Sequence, residues 1–195
     1  MAPNGSRIVP GFEKLVPKRQ GELDRLCGLY SIINGITLAS YPVGGIPPSC
    51  RRLLFDEGIQ FLSKAKRLDV VSLDGINERL WSRLRDHLLV HTSKLGGPPL
   101  QAVALFPAGR PSGMDEAVSH IFESIDRGSP VLLILWNAYD HCTVVAGYTA
   151  TKLLLFDSFG FKWIGLRSLG LRHPYQEARH KLSWRSTAAL VLRAR

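Results

Sequence analysis

The chain has 195 residues, of which 45% are hydrophobic and 21% charged, and its mean hydropathy is +0.02. This composition is typical of a single folded domain with its own core, and it excludes a disordered chain. The net charge of +9 favours acidic partners. Nucleic acid is compatible with that charge but is not favoured, because the basic residues form no stripe interleaved with aromatic side chains.

No apolar run approaches the roughly 20 residues that span a bilayer. The first residues, MAPNGSRIVPGFEKLVP, lack the apolar segment of a signal peptide. The three cysteines, Cys27, Cys50 and Cys142, form no CxxC pair, which argues against a disulfide framework and a structural zinc site. We therefore expect a cytoplasmic protein, or one delivered from the cytoplasm without a cleavable signal peptide, and no membrane span.

The first half of the chain has helical periodicity after an irregular, proline-containing arm over residues 1–19. A buried helix is predicted from Cys27, and YPVGGIPP ends it. A second helix is predicted with Ser49 as its cap, and a third from about Asp74. The apolar face of the first helix consists of Leu26, Leu29, Ile32, Ile33 and Ile36.

The second half contains apolar runs that predict strands, namely PLQAVALF, PVLLILW, HCTVVAGY, KLLLFDS and STAALVLRA. A helix that opens at Ser112 separates the first run from the others, and short connections between the middle three predict antiparallel pairing. We therefore predict one α+β domain over residues 1–195. In it, a helical lobe (20–95) packs against an antiparallel β-sheet lobe (96–195).

Three residues in this arrangement suggest nucleophilic chemistry. Cys27 begins a helix, where free backbone N–H groups and the helix dipole favour the thiolate, although burial is the commoner role of a free cysteine. His141 begins one predicted strand and Asp157 ends the next, so a hairpin brings both to the same end of the sheet. A thiolate, a base and an orienting carboxylate together form a catalytic triad.

The segments QGELDRLCG, DHCTVVAGY and DSFGFKW together resemble the motifs of the papain-like cysteine peptidases. The resemblance implies a papain-like fold with a cleft between the two lobes. It implies Cys27 as nucleophile, His141 as base and Asp157 as the residue that orients the histidine. It also implies an oxyanion hole made by the side-chain amide of Gln20 and the backbone N–H of Cys27.

The sequence departs from the family pattern at several points. Asp157 replaces the asparagine of the papain pattern, as in related branches such as the leader-peptide-cleaving domains of bacteriocin exporters. Phe159 replaces the family's tryptophan, and the interval from Gln20 to Cys27 is one residue longer than usual. The resemblance does not extend through residues 37–95. It therefore indicates a distant, cytosolic-type member.

The sequence also predicts which other residues line the cleft and which lie away from it. Loops 37–48 and 95–113 are expected to determine specificity. Cys142 alternates with His141 along its strand and is predicted to face away from the site. The residues expected to contact substrate are Gly28, Trp136, Phe159 and Trp163.

The sequence predicts neither a cofactor nor a metal site. His87 and His91 are four residues apart, a spacing that suits two metal ligands on one helix face, but the sequence reveals no third ligand. The remaining histidines are expected at the surface: His120, His173 and His180.

The sequence therefore predicts a cysteine peptidase or isopeptidase that forms a thioester at Cys27. Its expected substrate is a protein or peptide, acidic or ubiquitin-like. Two alternatives remain open. One is a glutamine deamidase or acyl transferase on the same triad, of the transglutaminase-like or effector type. The other is a non-catalytic basic binding protein on a papain-like scaffold.

Overall fold

The structure, a computed structural model, describes residues 5–21, 24–172 and 177–193. Within these ranges, no helix combines the length and the hydrophobicity needed to cross a membrane. The helices are α1 (Cys27–Ser40), α2 (Pro48–Lys64), α3 (Leu68–Asp74), α4 (Glu78–Lys94) and α5 (Met114–Asp126). The strands are β1 (Arg7–Ile8), β2 (Leu100–Ala104), β3 (Val131–Asn137), β4 (His141–Tyr148), β5 (Lys152–Leu155), β6 (Trp163–Gly165), β7 (Leu169–Leu171), β8 (His180–Leu182) and β9 (Ala188–Leu192).

The strands form one open sheet in the order β2-β9-β3-β4-β5-β6. β1 also pairs with β4, and β8 pairs with both β3 and β7. All of these pairs are antiparallel except β7 with β8. The α+β class and the antiparallel pairing of the three middle strands, β3 to β5, are thus confirmed.

α1 lies in the middle of the molecule, and all of its residues except Tyr30 are buried. Gly35 lets the helix approach the sheet, since a Cβ there would lie 2.8 Å from a methyl of Leu132. Gly58 of α2 does the same on the helical side, where a Cβ would lie 2.4 Å from a methyl of Leu29. A side chain at Gly35 would push α1 away from the sheet, and one at Gly58 would push α2 away from α1. The two glycines therefore keep α1 packed between the sheet and α2.

α1 ends directly before YPVGGIPP, as predicted, whereas the predicted helix starts differ from the observed ones in three places. α1 continues through Ser40, so the first four residues of the predicted loop 37–48 are helical. Ser49 does not cap α2, because the helix already begins at Pro48 and its N-cap is Pro47. Proline has a fixed φ and no N–H to satisfy, so it suits the first helical position.

The helix predicted from about Asp74 is in fact two helices. α3 ends at Asp74, and Gly75, with a φ of 83°, follows it. α4 then begins after Asn77, whose side-chain oxygen accepts a hydrogen bond from the backbone N–H of Leu80 at 3.0 Å. Gly75 therefore ends α3, and Asn77 caps α4.

α5 begins after Gly113, so Ser112 does not serve as its cap. Ser112 instead donates from its backbone N–H and its hydroxyl to the carboxylate of Glu116, both at 2.6 Å.

Candidate active site

The candidate site forms where the beginnings of α1 and β4 meet the segment after β5. Cys27 is the first residue of α1 and His141 the first residue of β4, while Asp157 lies just beyond the end of β5. β4 and β5 pair antiparallel, and the backbone N–H of Phe156 extends the ladder by bonding the carbonyl of Val144 at 2.9 Å. The expectation that His141 and Asp157 share one end of the sheet is therefore confirmed.

The Asp157 carboxylate joins the histidine to the loop that follows it. Its Oδ2 lies 2.6 Å from Nε2 of His141. Its Oδ1 accepts hydrogen bonds from the backbone N–H groups of Phe159, Gly160 and Phe161, at 2.9, 2.8 and 3.1 Å. Gly160 has a φ of 109°, which lets the loop turn back toward the carboxylate. Both oxygens of the Asp157 carboxylate are therefore hydrogen-bonded, and the carboxylate fixes the orientation of the His141 ring.

Burial raises the pKa of the Asp157 carboxyl, but the hydrogen bond and the charge of His141 lower it more, and the net shift is downward. Burial lowers the pKa of His141, while hydrogen bonds and negative charge from Asp157 and Cys27 raise it to about 9. The imidazolium is therefore the stable form at neutral pH, held between two anions.

The pKa of Cys27 is lowered to about 5. A hydrogen bond from the Cys142 thiol lowers it most, burial opposes that shift, and the hydrogen bond and charge of His141 lower it further. Since Nε2 of His141 faces Asp157, Nδ1 is the ring nitrogen available to the sulfur. The pair thus exists as thiolate and imidazolium across the neutral range.

The prediction that Cys142 faces away from the site is wrong. Val144 shares its sheet face with Leu132, its cross-strand neighbour, and with Cys142, two residues before it. Gly35 of α1 packs on Leu132, so this is the face that α1 covers. Cys142 therefore points toward the beginning of α1, and it lines the same cavity as Cys27. Alternation separates the faces of a strand but does not show which face a helix covers.

Gln20 lies beside the triad and is held by backbone and side-chain bonds. Its N–H donates to the carbonyl of Ser158 at 3.2 Å, and its Oε1 accepts from the Ser158 hydroxyl at 3.1 Å. The side-chain NH₂ therefore remains available as a donor. Upstream, the amide of buried Asn34 in α1 bonds both the N–H and the carbonyl of Lys18, at 2.7 and 3.1 Å. Two anchors thus fix the segment that carries Gln20.

A cavity of about 590 Å³ opens over these residues, and its walls include Gln20, Cys27, His141 and Cys142 together with aromatic side chains. Phe161 contacts the His141 ring edge to face, with centroids 5.5 Å apart, and Phe159 does so at 6.4 Å. Trp136 also lines the cavity. Trp136 and Phe159 are thus located as expected, and the two phenylalanines pack against the His141 ring, whose side chain is buried.

Gly28 and Trp163 do not line this cavity. A Cβ on Gly28 would lie 2.5 Å from a methyl of Ile76, and the Gly28 carbonyl accepts a hydrogen bond from the Trp81 indole at 2.9 Å. The glycine is required for packing against these side chains rather than for access to substrate. Trp163 is on β6, outside the cavity, where its ring lies 3.9 Å below the Lys152 ammonium.

The other cysteine and histidines differ in how exposed they are. Cys50 is buried in α2, and burial raises its pKa, so its thiol is unreactive. His120 lies at the surface as expected, with 41% of its side chain exposed, whereas His180 is buried against the ring of Tyr139 and the surface expectation is wrong for it. His173 lies outside the described residues.

A second cavity, of about 710 Å³, adjoins the first at Trp136. Glu78 accepts a hydrogen bond from the Trp136 indole at 3.1 Å and forms an ion pair with Arg172. We refer to this cavity as the basic pocket; its lining residues are Glu78, Arg110, Trp136, Asn137, Arg172, Lys181, Ser183, Trp184 and Arg185.

The basic pocket carries an excess of positive charge. Its other cations, Arg110, Lys181 and Arg185, form no ion pair with any acidic residue in the described parts of the chain. The Arg185 guanidinium lies 5.1 Å from the centre of the Trp184 ring. These residues come from distant segments, so no local pattern in the sequence could reveal the pocket.

Comparison with family models finds no match for this chain, and comparisons with curated proteins and with solved structures find none either. Its function has to be inferred from the geometry described above.

The first prediction concerns the pH dependence of Cys27 alkylation. Iodoacetamide should modify Cys27 with a rate constant whose midpoint lies at about pH 5, because the thiolate is stabilised by Cys142 and His141. Peptide mapping by mass spectrometry after quenching at each pH gives this midpoint. Cys27→Ala serves as the control and should lose the fast phase. A midpoint near 8.5, the value of a free cysteine, would contradict the ion pair.

The second prediction separates the two roles of the Asp157 carboxylate. Asp157→Asn should keep the bonds to the loop but remove the negative charge that raises the pKa of His141, so the pKa of His141, followed by NMR of its ring protons, should fall. Asp157→Ala should also leave three N–H groups unpaired and lower the free energy of unfolding by roughly 2–4 kcal/mol. Urea denaturation measures the difference. Equal stability of the two variants would show that the loop does not depend on the carboxylate.

Proposed function

We propose that this protein is a papain-like cysteine peptidase or isopeptidase of a distant, cytosolic type, with its cleft between a helical and a sheet lobe. One observation carries the proposal: Asp157 bonds His141 at 2.6 Å, and His141 and Cys27 line the same accessible cavity. A nucleophile, a base and an orienting acceptor in this order are the arrangement that acyl transfer requires.

In the first half-reaction the Cys27 sulfur attacks the carbonyl carbon of a peptide or isopeptide bond. The resulting tetrahedral intermediate collapses as the C–N bond breaks, and the His141 imidazolium gives its proton to the departing amine. The products are a free amine and a thioester between Cys27 and the acyl part of the substrate. The Asp157 carboxylate keeps the His141 ring in the orientation that both proton transfers need.

In the second half-reaction neutral His141 accepts a proton from water, and the hydroxide that forms attacks the thioester. The S–C bond breaks, the acid product leaves, and the thiolate and imidazolium are restored. The negative oxygen of each intermediate is bonded by the backbone N–H of Cys27 and the side-chain NH₂ of Gln20. Each donor stabilises the transition state by about 3 kcal/mol.

The charge of the basic pocket supports the proposal that the substrate is acidic. It adjoins the reaction cavity at Trp136, so a chain bound across Cys27 extends into it on one side of the scissile bond. Arg110, Lys181 and Arg185 have no anionic partner among the described residues and can bind carboxylates of that chain. The net charge of +9 adds a long-range attraction for the same substrates.

The third prediction tests the reaction itself with a library of peptides rich in Asp and Glu. The wild-type protein should cleave members of the library and form a thioester adduct that intact-mass spectrometry detects. Cys27→Ala should lose about 10⁴-fold or more in kcat/KM, and Gln20→Ala about 100-fold.

Equal cleavage by Cys27→Ala would contradict the proposal. Conversion of glutamine to glutamate without cleavage would instead assign the same triad to deamidation. Binding of RNA or DNA that falls steeply with salt and is unchanged in Cys27→Ala, with no turnover of any peptide, would favour the non-catalytic alternative.

The fourth prediction tests the basic pocket. The double variant Arg110→Gln with Lys181→Gln should raise KM for an acidic peptide about tenfold and leave kcat unchanged, because two charge contacts of about 0.7 kcal/mol each are lost. The matched control, Arg52→Gln with Arg127→Gln, removes the same charge from α2 and from the end of α5. Equal effects in the two double variants would mean that net charge alone attracts the substrate.

A further inference from the structure

Glu57, His87 and His91 form a cluster on the face where α2 packs against α4, outside the candidate active site. His87 and His91 are one turn apart on α4, so their rings lie on the same side of the helix, with centroids 4.2 Å apart. Glu57 of α2 faces both rings. One ligand atom from each residue lies within 4.8 Å of the other two. The packing of the two helices thus supplies the third ligand that the sequence alone does not reveal.

The distances in the cluster suit a first-row metal ion. The Oε1 atom of Glu57 lies 2.8 Å from Nε2 of His87 and 3.5 Å from Nε2 of His91. Around a tetrahedral zinc ion with ligands at 2.0–2.1 Å, neighbouring ligand atoms are separated by about 3.3 Å. The two observed separations lie on either side of that value. An ion between Glu57 and either histidine can therefore be accommodated with side-chain shifts of about half an ångström.

The surroundings of the two rings also suit metal binding. The Nδ1 atom of His91 donates to the backbone carbonyl of His87 at 3.0 Å. This bond keeps the proton on Nδ1 and directs the lone pair of Nε2 toward Glu57. The ring of Phe61 packs on that of His87, with centroids 4.8 Å apart, and limits its rotation. Both rings are thus oriented before any ion binds.

The three side chains are only partly covered, with exposed fractions of 28% for His87, 23% for His91 and 24% for Glu57. Solvent can therefore provide a fourth ligand. We propose that Glu57, His87 and His91 bind a zinc ion together with one water molecule. Imidazole nitrogen favours zinc over magnesium and calcium, which prefer oxygen ligands.

Zinc takes the place on His87 Nε2 of the proton that this atom shares with Glu57, and in the zinc-bound neutral ring the proton is carried on Nδ1. The bound ion joins α2 to α4. α4 carries Trp81, which bonds α1 at Gly28, so the ion stabilises the helices that pack around α1. The zinc proposal does not rest on the proposed peptidase activity.

The fifth prediction tests this site. Zinc is titrated into the metal-free protein, and calorimetry measures its binding. The full chain is used with Cys27→Ala, because the thiolate and His141 would otherwise compete for zinc. One ion should bind per chain and raise the melting temperature. Glu57→Gln, His87→Ala and His91→Ala should each weaken binding by about 100-fold or more, because losing a ligand costs at least as much as losing a group that orients one.

The matched control is His120→Ala. His120 lies 4.0 Å from a carboxylate oxygen of Glu116 and 3.9 Å from one of Glu123. These three residues therefore form another histidine–carboxylate cluster, but one with a single histidine and two acids. Its removal should leave zinc binding unchanged. Equal losses in His120→Ala and His87→Ala, or no stoichiometric binding at all, would overturn the proposal.

X-ray absorption of the zinc-loaded chain provides a measurement that needs no ligand variant. Two imidazole nitrogens and two oxygens should surround the ion. A sulfur ligand from Cys50 or Cys142 would overturn the proposal, whether or not the variants fold.

Discussion

The burial of α1 is the constraint on which the rest of the structure depends. The helix is enclosed by the sheet on one side and by α2 and α4 on the other, and only Tyr30 is left partly exposed. A helix that is packed on every side cannot rotate or slide without opening a cavity in the core. Its first residue, Cys27, is therefore held at one position relative to β4. The same packing provides the apolar surroundings in which the charges of Cys27, His141 and Asp157 interact strongly.

Much of this arrangement could be predicted from local patterns. The apolar spacing after Cys27 identified the central helix, and the runs around His141 and Asp157 identified two strands whose antiparallel pairing brings the two side chains together. These features depend on periodicity and on short connections, which a sequence displays directly. The helix ends were less accurate, because proline at the start of α2 and the pair Gly75 and Asn77 between α3 and α4 fix boundaries that apolar spacing does not mark.

The features that sequence reasoning missed arise from contacts between distant segments. Cys142 was assigned to the wrong side because alternation does not indicate which face of a sheet a helix covers. Glu57 joins His87 and His91 only through the packing of α2 on α4, and the basic pocket gathers cations from separate loops and strands. The sequence predicts that Gly28 contacts substrate, whereas in the structure its lack of a side chain leaves room for Ile76 and Trp81. Each of these outcomes is set by tertiary packing.

The anchoring of Gln20 has a consequence for how related sequences should be recognised. Asn34 holds the backbone of Lys18, and Ser158 holds Gln20 itself, so the position of Gln20 is set by α1 and by the segment after β5. The number of residues between Gln20 and Cys27 does not set it. Insertions or deletions in that interval can accumulate without moving the amide. Relatives of this chain should therefore be sought by a buried asparagine in the central helix rather than by a fixed interval before the cysteine.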